Sequence, residues 1–286
     1  MRHADFSTAT SATTGATTGA GRDLSAAPIP ATDPFGPPIR TGGRIVRLAG
    51  PGDMPGVLAL RGRAFRGGAE DGDASDRDCL HLWVGADAPG APPLATLRIL
   101  RHPDARALLS GYVAQHYDLC ALARAGEAEG AETLELGRLC VEPGSGLGAG
   151  GGDLLRLLWA GVTRIAFGVG AGRLVGCTSF HSTDPASLDP AWSYLKARAA
   201  GPSTLTPGRK APEIYPFEAV PAQPGPEGQS QVPPLLRAYL SLGGWVSDHA
   251  VIDRDLGTCH VFTCVDIAAM PPARLRILRQ MAGLTP

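Results

Sequence analysis

The stretch that most constrains this chain runs from Leu134 to Val162 and reads as one strand, one glycine-rich turn and one helix. Leu134, Leu136, Leu139 and Val141 form a short apolar run, the pattern of a strand buried on both faces. Pro143 ends it. Gly144, Gly146, Gly148, Gly150, Gly151 and Gly152 then leave a bare backbone, and Leu154, Leu155, Leu157, Leu158, Trp159 and Val162 follow at helical spacing behind Asp153. A glycine-rich turn entering a helix presents free N–H groups to an anion. The turn lacks the GK[ST] of a phosphate-binding loop and lies mid-chain, which sets it apart from the P-loop and the dinucleotide fingerprint. Glu135 and Arg138 interrupt the strand, and charges inside a buried strand need a partner or a task.

The 286 residues suffice for one sizeable core. A net charge of −1 gives no support to nucleic-acid binding. The six cysteines show no CxxC and the histidines no HExxH, so the expectation is buried thiols, a reducing cytoplasmic setting and no metal. No apolar run is long enough to span a bilayer, and the first residues lack a secretory h-region.

Residues 1–42 are rich in Thr, Ala, Ser, Gly and Pro with few large apolar groups, and are expected to form a disordered low-complexity tail. Residues 43–286 form the folded domain, with a Pro- and Gly-rich excursion around 201–232. Strands are expected at Arg44–Leu48, Leu80–Val84, Leu94–Leu100, Leu134–Val141, Arg173–Phe180, Val246–Asp253 and Cys259–Val265. Helices are expected after Asp53, within 105–125, after the glycine turn, from Asp184 to Ala199, from Leu235 and from Pro271 to Met281. That order predicts an α/β (α+β) class with a central mixed sheet flanked by helices.

Several stretches resemble the L-ornithine Nα-acyltransferase family of the GNAT-like superfamily: LRGRAF (Leu60–Phe65), DASDRDCLHLWV (Asp73–Val84), ATLRIL (Ala95–Leu100), ELGRLCV (Glu135–Val141), LVGCTSFHSTDP (Leu174–Pro185) and PPLLRAYLSLGGWVSDHAVID (Pro233–Asp253). The first four are shared with acyl-homoserine-lactone synthases, which also use acyl carrier protein. The resemblance implies a GNAT-like acyl-CoA N-acyltransferase fold. It also implies transfer of a 3-hydroxy fatty acyl group from the phosphopantetheine of acyl carrier protein, with CoA as the alternative carrier and no bound cofactor. The acceptor is the α-amine of L-ornithine, and the product lyso-ornithine lipid implies peripheral contact with the inner membrane face. The chain departs from the family at Leu80, in the glycine turn, and at Ser247–Ala250.

By the same resemblance, Arg61, Phe65, Asp73, Asp76 and Arg98 line the substrate site together with Glu135 and Arg138. Glu135 is the candidate base for the amine, and the arginines are candidates for the ornithine carboxylate. The aspartates are candidates for its ammonium groups. Val141, Gly146, Gly148 and Gly150 would meet the donor, and Arg156, Arg164 and Arg173 an acidic carrier protein. The competing readings stay open: a structural ion-pair network for Glu135 and Arg138, a helix face for Arg61, and solvated turn residues for Asp73 and Asp76. Ser179 with His181, and Cys140, are poor nucleophile candidates, since no third group is evident to orient the first pair and the thiol sits on a buried strand. An acetyl-CoA N-acetyltransferase, an acyl-homoserine-lactone synthase and a non-catalytic binding module are the other functional readings.

Overall fold

The computed structural model describes residues 33–142, 151–221 and 225–284. The chain begins with β1 (Ile39–Thr41), β2 (Arg44–Leu48), α1 (Met54–Phe65), β3 (Cys79–Ala86) and β4 (Pro93–His102). Three short helices and a two-residue strand follow: α2 (Ala105–Leu109), α3 (Val113–His116), β5 (Tyr117–Asp118) and α4 (Cys120–Glu129). The central unit is β6 (Glu132–Val141), α5 (Gly151–Val169) and β7 (Ala171–Phe180). Next come α6 (Asp189–Arg198), β8 (Gly208–Arg209), β9 (Ile214–Pro216), α7 (Gly228–Gln231) and α8 (Pro234–Ser241). The chain closes with β10 (Trp245–Asp253), β11 (Thr258–Asp266) and α9 (Pro272–Met281).

Among the described residues the main sheet has nine strands in the order β1-β2-β3-β4-β6-β7-β11-β10-β9. The β6–β7 pair is parallel, as a helical crossover through α5 requires, and the other neighbours are antiparallel. Alternation along the strands sorts two chemistries onto two faces. One face carries Val46, Leu82, Leu97, Leu134, Leu174 and Val261 into the main core under α5, where Leu154, Leu158 and Ile165 meet them. The other face carries Val175, Phe262 and Trp245 beneath α2–α4. That second face also holds Arg98, Glu135 and His260, each at an alternate position to a core residue of the first.

Residues expected to belong to a disordered tail are partly in the sheet. Ile39 pairs with Val46, and Phe35 and Ile39 are buried against the main core. Two large side chains are enough to anchor a short edge strand in a segment whose composition is otherwise poor in them. The excursion at 201–232 is also tied down. Phe217 stacks on Trp192 at 5.2 Å, Val220 is buried, and Ser193 Oγ and Lys196 Nζ donate to the carbonyls of Pro221 and Val220. The helical stretch expected over 105–125 is broken into three pieces, with Gly111 and the β5 strand between them.

The parallel β6–β7 pairing runs only from Glu132↔Ala171 to Leu136↔Gly176. Beyond it β6 stays with β4 and β7 stays with β11, so the two strands splay into a wedge. Gly176 sits at the last rung, where an added Cβ would lie 2.6 Å from the backbone oxygen of Leu136. Gly176→Val should therefore push the strands apart at the apex of the wedge and lower stability by about 1–3 kcal/mol, checked by thermal and urea denaturation against wild type.

Candidate active site

The wedge opens because β6 bulges. Thr96 pairs with Cys140 but Arg98 pairs with Gly137, so two steps along β4 answer three along β6. The extra residue falls at Arg138, whose φ of 50° is left-handed, a conformation that costs a side-chain-bearing residue about 1–2 kcal/mol. An ion-pair cluster holds it there. Arg138 Nε donates to Asp71 Oδ2 at 3.2 Å, its other end lies 3.6 Å from Asp73, and the guanidinium stands 5.6 Å over the Tyr112 ring.

Asp71 is the hub of this cluster. It also accepts from Arg61 Nε at 2.9 Å and Arg66 Nε at 3.1 Å, and its side chain is 2% exposed. Asp76 Oδ1 accepts from Arg61 at 2.7 Å and Arg98 at 3.0 Å, while its Oδ2 takes the Asp73 N–H. Asp73 takes Arg98 on both oxygens at 2.7 Å. Arg66 reaches on to Asp255 at 2.8 Å. Four arginines thus meet four aspartates, with Asp255 exposed at the rim, and the cluster is neutral. The α1 helix supplies Arg61 and the 3₁₀ turn Ala74–Asp78 supplies Asp76, so the cluster pins helix, loop and two strands together. Burial pushes the Asp73 and Asp76 carboxyls up, but their arginine partners prevail and hold both below the usual carboxylate range.

A cavity of about 320 Å³ fills the wedge. Its polar lining includes Arg98, Arg138, Tyr112, Asp253, His181 and His260; its apolar lining includes Phe65, Leu139, Val141, Leu155, Leu235 and Tyr239. Of the residues expected from the sequence, Phe65, Arg98, Arg138 and Val141 line this cavity. Arg61, Asp73 and Asp76 lie in the ionic cluster. The two aspartates, expected as partners for the ammonium groups of ornithine, are paired with arginines here. Gly146, Gly148 and Gly150 lie outside the described residues.

Glu135 is not among the lining residues. It is 5% exposed, Oε1 accepts the Val113 N–H at 3.2 Å, and Oε2 faces His102 Nε2 at 3.0 Å. Gly111 seals it from above, since a Cβ there would fall 2.5 Å from Oε2. The carboxylate expected to take the amine's proton is thus engaged on both oxygens and holds the Tyr112–Val113 segment against the sheet.

The basic patch expected for a carrier protein is also changed. Arg173 is buried and paired with Glu129, and Arg164 donates to the carbonyls of Pro37 and Ala282. Arg156 stays exposed, loosely paired with Asp153 at 3.7 Å. The α8 helix turns Leu236 and Tyr239 into the core. No helix among the described residues is long and apolar enough to cross a membrane. Burial pushes the Cys140 thiol up to about 12, which keeps it protonated and a poor nucleophile. Among the described residues no group of three or more metal-ligating side chains converges.

Sequence reasoning missed Asp71, Tyr112, Asp253 and His260. Asp71 lies two residues before the first aspartate singled out, in a loop whose composition looks solvated. Asp253 and His260 come from strands more than 100 residues along the chain from the bulge.

An acetyltransferase (GNAT) domain model matches residues 59–149. An L-ornithine N(alpha)-acyltransferase of Rhodobacter capsulatus is 32% identical over 177 residues, covering 62% of this chain and 65% of that protein. One from Brucella abortus is 31% identical over 206 residues, covering 69% of this chain and 70% of that protein. The chain thus spans about two thirds of the length of these relatives. Among solved structures, an N-acyl amino acid synthase from uncultured soil microbes is 9% identical with a TM-score of 0.44, covering 80% of this chain and 95% of that one, a loose likeness from which no chemistry follows. The domain match together with a mixed sheet flanked by helices gives the GNAT-like fold expected from the sequence.

Two outcomes test the cluster. Asp71→Asn leaves Arg61 and Arg138 without their shared anion and should cost about 3–5 kcal/mol, read by urea denaturation. Because Asp73 and Asp76 titrate lower in the folded than in the unfolded chain, their contribution is full above the unfolded carboxylate range and is lost as pH falls below it. Asp76→Asn should accordingly flatten the acid limb of a stability-versus-pH curve.

Proposed function

The chain belongs to the L-ornithine N(alpha)-acyltransferase family, and from that premise we propose that it transfers a fatty acyl group from a thioester to the α-amine of ornithine. The observation that carries this reading is the wedge itself. Two strand edges stop pairing at Leu136↔Gly176 and face a cavity lined by arginines, an aspartate and an apolar wall. Unpaired strand edges accept an extended, amide-bearing chain such as phosphopantetheine by adding it as a strand.

The oxyanion of the tetrahedral intermediate needs a donor fixed in advance. Glu142 N–H donates to Leu94 O on β4 at 2.8 Å, so alternation aims the Val141 N–H the other way, into the wedge. That group is our candidate donor. Arg138 and Arg98, held from behind by aspartates, offer their remaining N–H groups to the ornithine carboxylate. Asp253 accepts the Leu256 N–H on one oxygen at 3.0 Å and lines the cavity, which suits it to an ammonium group of the acceptor. The apolar wall from Leu139 to Leu155 and Leu235 suits the acyl chain. The donor reading is a 3-hydroxyacyl group on acyl carrier protein, giving lyso-ornithine lipid, with peripheral contact at the inner membrane face. The fatty product supports that last point by its own insolubility in water. Glu135 acts as a positioning residue that fixes Tyr112 and Val113 at the cavity wall.

Incubating the protein with ornithine and a 3-hydroxyacyl thioester, on carrier protein or on CoA, should give N-acylornithine by mass spectrometry. Transfer only of acetyl groups, or only to other amines, would overturn the reading. Asp253→Asn should raise KM for ornithine about 10–100-fold, the loss of one charge-assisted hydrogen bond of roughly 1.5–3 kcal/mol, with little change in Tm. Glu135→Gln keeps an acceptor for Val113 and should hold kcat within about tenfold of wild type, whereas a directly acting base would cost about 10²–10⁴.

A further inference from the structure

Acyl transfer requires a group that removes a proton from the amine, and the expected carboxylate is occupied. His260 on β11 lines the wedge cavity and is 2% exposed. Its Nδ1 lies 3.1 Å from the Tyr117 hydroxyl, and the same hydroxyl lies 2.9 Å from the backbone oxygen of His260. The hydroxyl has one proton, and a carbonyl can only accept. Tyr117 therefore donates to the carbonyl, and Nδ1 must carry the hydrogen that it donates to the Tyr117 oxygen. This fixes the tautomer. Nε2 is left with a bare lone pair; the atom is itself buried and has no hydrogen-bond partner among the described residues.

Resting on the acyltransferase reading above, we propose that His260 Nε2 is the general base that takes the proton of the attacking amine. The amine nitrogen bonds to the thioester carbonyl carbon, and its N–H proton passes to Nε2. The C–S bond then breaks with its electron pair on sulfur, and the imidazolium returns the proton to the thiolate. Amide and thiol leave, and His260 is neutral again. The proton becomes easier to remove as the C–N bond forms, because positive charge builds on the nitrogen.

The surroundings keep the base in its accepting form. Burial drives the His260 imidazole down to about 4, with His116 and His249 acting in the same direction and Asp253 opposing them. His116 packs edge-to-face on it at 5.1 Å, and Tyr117 at 5.7 Å covers the inner side. His181 also lines the cavity, but it is exposed and no partner among the described residues orients its ring. Tyr117 is fully buried and acts on the reaction through His260, as a positioning residue.

His260→Gln should lower kcat by about 10²–10⁴-fold, with KM for ornithine and for the acyl thioester within about threefold. Tyr117→Phe keeps the ring and releases the tautomer, and should lower kcat by about tenfold. Imidazole nitrogen NMR on uniformly labelled wild-type protein should show His260 with Nδ1 protonated and Nε2 bare from pH 8 down to about 5. A folded His260→Gln variant within threefold of wild-type kcat would overturn the proposal. So would an Nε2-protonated tautomer at pH 7, a result that needs no variant to fold. If the wild-type protein acylates a different amine and not ornithine, the acceptor assignment falls, and the His260 comparison is read on that amine.

Discussion

The architecture depends on one buried contact, the pairing of Asp71 with Arg61 and Arg138. An isolated Arg138 would be doubly unfavourable where it stands, in left-handed backbone and largely out of water. Asp71 answers both problems at once, because it offers the anion that the re-aimed guanidinium reaches. The bulge, the early end of the β6–β7 ladder and the cavity between those strands all follow from that local geometry. The remaining arginines and aspartates make the cluster neutral, which is the condition for keeping so many charges inside.

The charged side chains of the strands sit on the face of the sheet that the large aliphatic core does not use. Alternation sends Leu97, Leu134 and Val261 one way and Arg98, Glu135 and His260 the other. The rigid aliphatic side fixes strand positions, and the polar side inherits that precision. A residue such as Glu135 can then matter without touching a reactant, since the segment it anchors through Val113 carries Tyr112 to the cavity.

Much of this could be read from the sequence, for identifiable reasons. The strand–turn–helix at Leu134–Val162 showed itself through hydrophobic spacing, and the structure has β6 and α5 there. Charged residues within an apolar strand pointed to Glu135 and Arg138, since burial of charge is costly enough to mark them, and the family resemblance pointed to Arg98. Periodicity could not show which charges pair with which. Asp73 and Asp76 looked like solvated turn residues or substrate ligands, and their partners are arginines from α1 and β4. Glu135 looked like a base because its strand position is right, but only the fold shows Gly111 closing over it. His260 carries no local mark at all: its lone pair is defined by a tyrosine 143 positions away in the chain. The edge strand at Ile39–Thr41 was hidden by its small-residue surroundings.

The shortened ladder between β6 and β7 also bears on how tightly this molecule holds together. Two antiparallel halves, β1 to β6 and β7 to β9, meet along a seam of only a few rungs, reinforced by α5. An extended molecule lying in the seam, bonded to both edges, would add the missing rungs and so act as mortar between the halves. Such a guest binds the native form alone, and its stabilisation grows as RT ln(1 + [L]/Kd). Donor occupancy and resistance to unfolding are then one quantity measured in two ways, whether or not turnover follows.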